Sequence, residues 1–356
     1  MKKTIISDMT EGIDPAGIEL GGKILREGGL VAFPTETVYG LGGNALDADA
    51  SRKIYEAKGR PSDNPLIVHI CEISALEKIT ESVPETARRL ADAFWPGPMT
   101  LIFRKSDAVP DSTTGGLDTV AVRFPDHPAA LALIRAAGGY VAAPSANTSG
   151  RPSPTQASHV WEDLQGKIDM IIDGGEVGIG IESTIVDLTE ETPIILRPGY
   201  ITREMLEKTI GHVEMDRSLI SDDSAVRPRA PGMKYRHYAP QAPLLIVEGD
   251  ETAVRERIRA LVREAAAQGK RAGVIATDES ADCYGEGIVR SAGTRADEAT
   301  VAAHLYAILR EFDSLGVDVI YSEAFDTAGI GQAVMNRLMK AAGHRVIDAG
   351  KEASED

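Results

Sequence analysis

Between residues 15 and 210 the chain switches repeatedly between two hydrophobic periods. Apolar residues three and four apart predict helices at 15–27, 48–58, 84–94, 128–137, 155–164 and 202–210. Short apolar runs predict strands at 30–33, 66–70, 99–103, 120–124, 140–143, 168–172, 184–188 and 194–197. Glycine or proline stands at most junctions, as at Gly28-Gly29 after the first helix. Such alternation over about 200 residues describes an α/β domain, a sheet with flanking helices. The pattern leaves open whether that sheet is parallel or mixed.

The periodicity lapses over residues 213–243, a stretch with four prolines. By composition this is a linker, yet "KYRHY" (234–238) is dense in cations and aromatics where a passive spacer carries Gly, Ser or Glu. It reads either as a proline-stiffened spacer on a domain surface or as a segment that folds back over a site. A second α/β pattern follows, with strands at 244–247, 272–276 and 317–322 and helices at 251–267, 297–314 and 333–342. This order predicts a smaller Rossmann-like α/β domain, although "VEGDETAV" after its first strand lacks the glycine fingerprint of dinucleotide binding. The expected division is therefore 1–212, a linker at 213–243, and 244–356.

Composition narrows the function classes. Hydrophobic residues make up 43% and charged residues 26%, and no apolar run approaches the roughly 20 residues of a membrane span. The N-terminus lacks the apolar body of a secretory signal, and Cys71 and Cys283 match no metal or redox spacing. A soluble, cytoplasmic protein is expected, with no membrane partner. The net charge of −16 counts against a protein that grips a nucleic-acid backbone. Acidic residues also outnumber basic ones beyond residue 243, so neither part is a hidden basic domain.

Against that acidity, four polar stretches stand at strand ends. "PTETVYGLG" (34–42) offers Thr35 and Thr37 before glycines that admit a ligand closely; threonines near a turn also commonly satisfy backbone groups. "KGRPSDNP" (58–65) holds a point charge, Lys58, and a planar fork, Arg60, between stiffening prolines, a pairing suited to polyphosphate, with Asn64 and His69 close behind. Neutralising a helix C-terminus would account for Lys58 alone. "PSANTSGRPSP" (144–154) supplies Ser145, Asn147 and Ser153, groups able to cradle phosphate or ribose oxygens. "GIGIESTIVDL" and "LRPGYIT" place Ser183 and Arg197 at strand ends, and "TVAVRFP" adds Arg123. Spacing leaves even odds that Arg123 faces solvent or an anion. Nucleophile-elbow, zinc and P-loop patterns are missing, so the chemistry points to positioning an anionic substrate by hydrogen bonds and cations.

Taken together, "FPTETVYGLG", "RPSDNPLIVHI", "WPGPMTLIF", "LDTVAVRFP", "APSAN", "RPSPT", "ESTIVDL" and "LRPG" resemble, in order, the YrdC-like family in its two-domain form. The family's lysine-x-arginine and serine-x-asparagine signatures appear as Lys58-Gly59-Arg60 and Ser145-Ala146-Asn147. The resemblance is dense over 15–210, extends through "APGMKYRHYAP", and is loose beyond about residue 243. It implies a YrdC-like twisted sheet and a threonylcarbamoyl-AMP synthase. Such an enzyme joins L-threonine, bicarbonate and ATP, with Mg2+, into L-threonylcarbamoyladenylate and pyrophosphate. The adenylate would pass to downstream tRNA threonylcarbamoyl transferase proteins, without stable tRNA binding here. By similarity, Thr37, His69, Arg123, Ala143 and Ser183 would surround threonine. Arg60, Asn64, Thr119, Ser145, Ser153 and Arg197 would hold ATP; Lys58 and Asn147 complete the catalytic signatures, and Tyr235 and His237 would belong to a lid. The rival readings are a carbamoyltransferase-type enzyme on the same fold and a non-enzymatic RNA-binding protein. The related hydrogenase-maturation carbamoyltransferases carry acylphosphatase and zinc-finger modules for which 356 residues and two cysteines leave no room.

Overall fold

The computed structural model describes residues 2–216, 219 and 237–351. Their contacts group into two compact units: the residues up to 219 without Gly150–Pro152, and Gly150–Pro152 with 237–351.

The first unit is built on one mixed sheet. Its strands in chain order are β1 (Ile5–Asp8), β2 (Val31–Phe33), β3 (Gly40–Asn44), β4 (Ile67–His69), β5 (Met99–Arg104), β6 (Thr119–Arg123), β7 (Val141–Ala143), β8 (Met170–Asp173), β9 (Thr184–Asp187), β10 (Ile194–Arg197) and β11 (Glu214–Met215). Across the sheet they run β1-β8-β2-β3-β7-β4-β6-β5-β9-β10-β11. The central pair β4/β6 is parallel, while β7/β4 and β6/β5 are antiparallel. β1, β3 and β11 went unread in the sequence. β3 is glycine-rich, "GLGGN", and carries a strand on four buried positions without β-branched residues. β11 breaks into the segment expected to be linker and pairs with β10 in parallel.

Alternation along the central strands sorts the side chains. Val68, Leu101, Phe103, Val120 and Val122 enter the large core on one face. On the other face, helices Pro15–Arg26 and Pro128–Ala136 cover Val31, Phe33, Val141 and Met170. Farther along that second face lies a separate small cluster of Ile67, Ile102, Ala121, Ile185 and Leu196. Helix Ala48–Lys58 is capped by Asp47 at its start and by Gly59 at its end, where φ of 61° suits glycine. That left-handed cap turns the chain sharply between Lys58 and Arg60.

The second unit holds five parallel strands, β12 (Leu244–Glu248), β13 (Ala272–Ala276), β14 (Ile288–Ser291), β15 (Val319–Glu323) and β16 (Val346–Asp348), in the order β14-β13-β15-β12-β16. β14 and β16 went unread because their residues are only partly buried and break the apolar run. Helix Glu298–Leu315 starts at the Asp297 cap, and its buried Arg310 donates to the carbonyl of Pro152 at 2.6 and 3.1 Å.

Candidate active site

The register of the central strands assembles the first cluster. β4 sets His69 beside Arg123 of β6, and β5 sets Thr100 beside the same arginine, so the three side chains share one face. Arg123 is only 4% exposed, which removes the solvent-facing alternative. Its Nη1 donates to Thr37 Oγ1 at 2.8 Å, and its Nη2 lies 2.7 Å from Glu36 Oε1. Thr37 in turn stands 3.0 Å from Thr35 Oγ1, whose hydroxyl donates to the Val38 carbonyl and so pins the turn after β2. Thr100 Oγ1 lies 2.8 Å from Ser183 Oγ.

His69 is fully enclosed, edge-on to Phe33 at 5.9 Å, with Nδ1 3.0 Å from the Ile67 carbonyl. Burial, reinforced by the positive Arg123, lowers its pKa to about 3. The imidazole is therefore neutral at physiological pH and contributes shape and hydrogen bonding, not charge. Ala143, at the end of β7, pairs with Ile67 and places its backbone in the same row of strands.

Arg197 closes the side of this cluster. From β10 it donates through Nε to the Ser183 carbonyl at 3.0 Å and through Nη2 to Ser183 Oγ at 3.1 Å. This approach requires Gly199: a Cβ there would lie 2.5 Å from the Thr184 backbone nitrogen and 2.9 Å from the Glu182 carbonyl. Ser153 donates to Glu182 Oε1 at 2.5 Å, tying the loop after β7 to the entry of β9.

The two signature motifs meet directly. The Lys58 ammonium, 1% exposed, donates to the Ser145 carbonyl at 2.5 Å and to the Asn147 carbonyl, with Asn147 Oδ1 at 3.4 Å. Ser145 Oγ donates to Asn147 Oδ1 at 2.5 Å, and the Ser149 amide donates to the Lys58 carbonyl at 2.8 Å. Lys58 thus neither hangs at its helix end nor stands in solvent; it binds one signature to the other. Arg60 folds over its own turn, donating to the carbonyls of Asn64 at 3.3 Å and Pro65 at 3.2 Å. Asn64 is buried, and its Oδ1 has no hydrogen-bond partner among the described residues.

Thr119 stands apart, at the opposite end of β6 from Arg123 and opposite Arg104. Positions 119, 121 and 123 face the same side, and four residues of strand span about 13 Å. The small apolar cluster of Ile67, Ala121, Ile102 and Ile185 lies between as a floor. Tyr235 lies outside the described residues; His237 is half-buried with its ring 5.5 Å from Tyr238. Glu36, Thr100 and Glu182 were missed in the sequence. Each lies within a quoted stretch, but a carboxylate or hydroxyl among site residues carries no signal of its own until the strands set its neighbours.

Buried arginines, hydroxyls and a lysine-bound loop along one sheet face define an enzyme that positions anionic and polar substrates. Residues 23–199 match the family described as "Telomere recombination", and residues 201–343 the one described as "Threonylcarbamoyl-AMP synthase, C-terminal domain". The threonylcarbamoyl-AMP synthase of Bacillus subtilis is 54% identical, over 96% of this chain and 97% of its own length. That of Pyrococcus abyssi is 50% identical, over 97% and 99%. The crystal structure of P. abyssi Sua5 complexed with L-threonine superposes with a TM-score of 0.92 at 49% identity, covering 97% of this chain and 99% of that one. The chain belongs to the threonylcarbamoyl-AMP synthase family. It is a transferase that makes threonylcarbamoyl-AMP, on a YrdC-like sheet with a smaller α/β domain.

Proposed function

We propose that this chain uses the two ends of the β6 face for its two larger substrates, L-threonine at the Arg123 end and ATP toward Thr119. The observation that carries this reading is the buried Arg123 guanidinium, held among Thr37, His69 and Thr100 at one end of a strand whose other end presents Thr119. Arg123 receives the threonine carboxylate; Thr37, His69, Ser183 and the backbone of Ala143 enclose its hydroxyl and methyl. Arg60, Asn64, Thr119 and Ser145 hold the nucleotide from the Thr119 end, Ser153 and Arg197, beside Glu182 and Ser183, hold the part of it that reaches toward threonine, and the Lys58–Asn147 junction fixes the loop between them.

The chemistry follows from the substrates. The threonine ammonium and bicarbonate give a carbamate, water and a proton. A carbamate oxygen then attacks the α-phosphorus in line, and the bond to pyrophosphate breaks. Negative charge grows on the leaving group, and fixed cations beside it are worth more in a water-poor site than in bulk solvent. No group of three or more His, Cys, Asp or Glu gathers for a metal among the described residues. Magnesium would come with the nucleotide and supply charge neutralisation at its phosphates. The resulting adenylate serves as donor for the adenosine beside the anticodon in tRNA, through separate transferase proteins, in the cytoplasm. Residues 1–212, extended by β11, carry the catalysis and 244–356 form a second domain; the lid expected at Tyr235 lies outside the described residues.

The test is pyrophosphate release from ATP with bicarbonate and magnesium and without tRNA. L-Threonine supports release, L-serine supports it more weakly, and 2-aminobutyrate fails, because a site built to bind a hydroxyl rejects its absence more than the loss of a methyl. Equal release with all three, or without amino acid, would sink the reading.

A further inference from the structure

Around Arg123 the structure holds an unfinished ion pair. Arg123 Nη2 and Glu36 Oε1 are 2.7 Å apart, with their side chains 5% and 14% exposed. Yet that contact lacks hydrogen-bond alignment, and both Arg123 Nε and Glu36 Oε2 have no hydrogen-bond partner among the described residues. A buried pair of opposite charges with unused capacity on both members is costly for a purely structural contact. The Glu36 backbone, by contrast, is fixed: its carbonyl accepts from the Ile179 amide at 2.9 Å, and the next carbonyl, of Thr37, from Gly180 at 3.1 Å. The carboxylate is therefore held beside the cluster by the chain itself, whether or not Arg123 engages it.

Free L-threonine is a zwitterion at neutral pH. Arg123 answers its carboxylate, but the ammonium, one carbon away, also needs a partner when it leaves water. We propose that Glu36 is that partner: the Arg123–Glu36 pair opens to admit the zwitterion, Arg123 taking the carboxylate and Glu36 the ammonium. The inference rests on the assignment of threonine to the Arg123 end of β6. It makes Glu36 a specificity-determining residue for the α-amino group, and it explains why a carboxylate stands beside the arginine that receives the substrate carboxylate. Without such a partner, the site would favour a 3-hydroxy acid, which offers the same carboxylate and hydroxyl with no ammonium to desolvate.

The experiment compares binding of L-threonine and (R)-3-hydroxybutyrate by calorimetry to the full-length protein and its Glu36→Gln, Glu36→Asp and Arg123→Gln variants. In the unaltered protein threonine binds the tighter. Glu36→Gln weakens threonine at least about 30-fold while leaving 3-hydroxybutyrate unchanged or tighter, since the competitor for Arg123 is gone. Glu36→Asp, which keeps the charge but shortens the reach, shows an intermediate loss for threonine alone and supplies the same contrast should the glutamine variant fail to fold. If the Glu36 variants bind both ligands as the unaltered protein does, or lose both in parallel, the proposal is overturned. Arg123→Gln separates the underlying reading: it loses both ligands if threonine sits there, and unchanged threonine binding would refute that placement independently of Glu36.

Discussion

Replacing His69 by glutamine tests whether the enclosed imidazole is a liability toward acid. In the folded protein burial, with Arg123 adding to it, lowers the pKa of His69 to about 3, against an unfolded value near 6.5. Between those two values the unfolded chain binds a proton that the folded one refuses, so stability rises with pH across the window and is lost as pH falls through it. From pH 7 to pH 4 that single group removes about 3 kcal/mol. Other titrating groups are common to both proteins and largely cancel in the comparison. Both tryptophans, Trp95 and Trp161, lie in the first unit, so urea unfolding followed by tryptophan fluorescence reports the unit that contains His69. The unaltered protein is expected to lose about 3 kcal/mol more than His69→Gln between pH 7 and pH 4. Parallel losses would refute the reasoning, because they would mean that the imidazole accepts its proton without leaving the fold.

Two further substitutions probe the site's scaffolding. Lys58→Met leaves the carbonyls of Ser145 and Asn147 without their buried donor; a destabilisation of about 1–3 kcal/mol is expected, with pyrophosphate release reduced at least about 100-fold and threonine affinity, read by calorimetry, within about two-fold. Gly199→Ala pushes a methyl against the Thr184 nitrogen and Glu182 carbonyl, displacing the strand entry that carries Ser183; the KM for ATP should rise about ten-fold or more while circular dichroism stays unchanged.

How far the sequence disclosed this arrangement depends on what each element needed from elsewhere. Helix Ala48–Lys58 was legible because Ile54 and Ala57 recur on one side within the segment itself, and its Asp47 and Gly59 caps are equally local. β3 was not: its residues are glycines, and it exists because β2 and β7 bracket it with hydrogen-bond partners. β1 is exposed at three of its four positions and owes its conformation to parallel pairing with β8, so no apolar pattern marks it. The site divided along the same line. Arg123 drew attention as a cation in an apolar run, but alternation could not say which face of β6 lacked solvent. Glu36, between the quoted threonines Thr35 and Thr37, became interpretable only once the sheet register set Arg123 within 2.7 Å of it.

The floor beneath these groups has its own consequence. Ala121 lies midway between Thr119 and Arg123 on one face of β6, flanked by Ile67 and Ile102, and each of the three is at most 6% exposed. On the proposed placement, a carbamate forming at the Arg123 end borders this apolar ground. This ground would then shield the carbamate from hydrolysis and let the fixed arginines act through a low local dielectric. The two anchors of that placement, Thr119 and Arg123, are spaced by backbone rise along one strand.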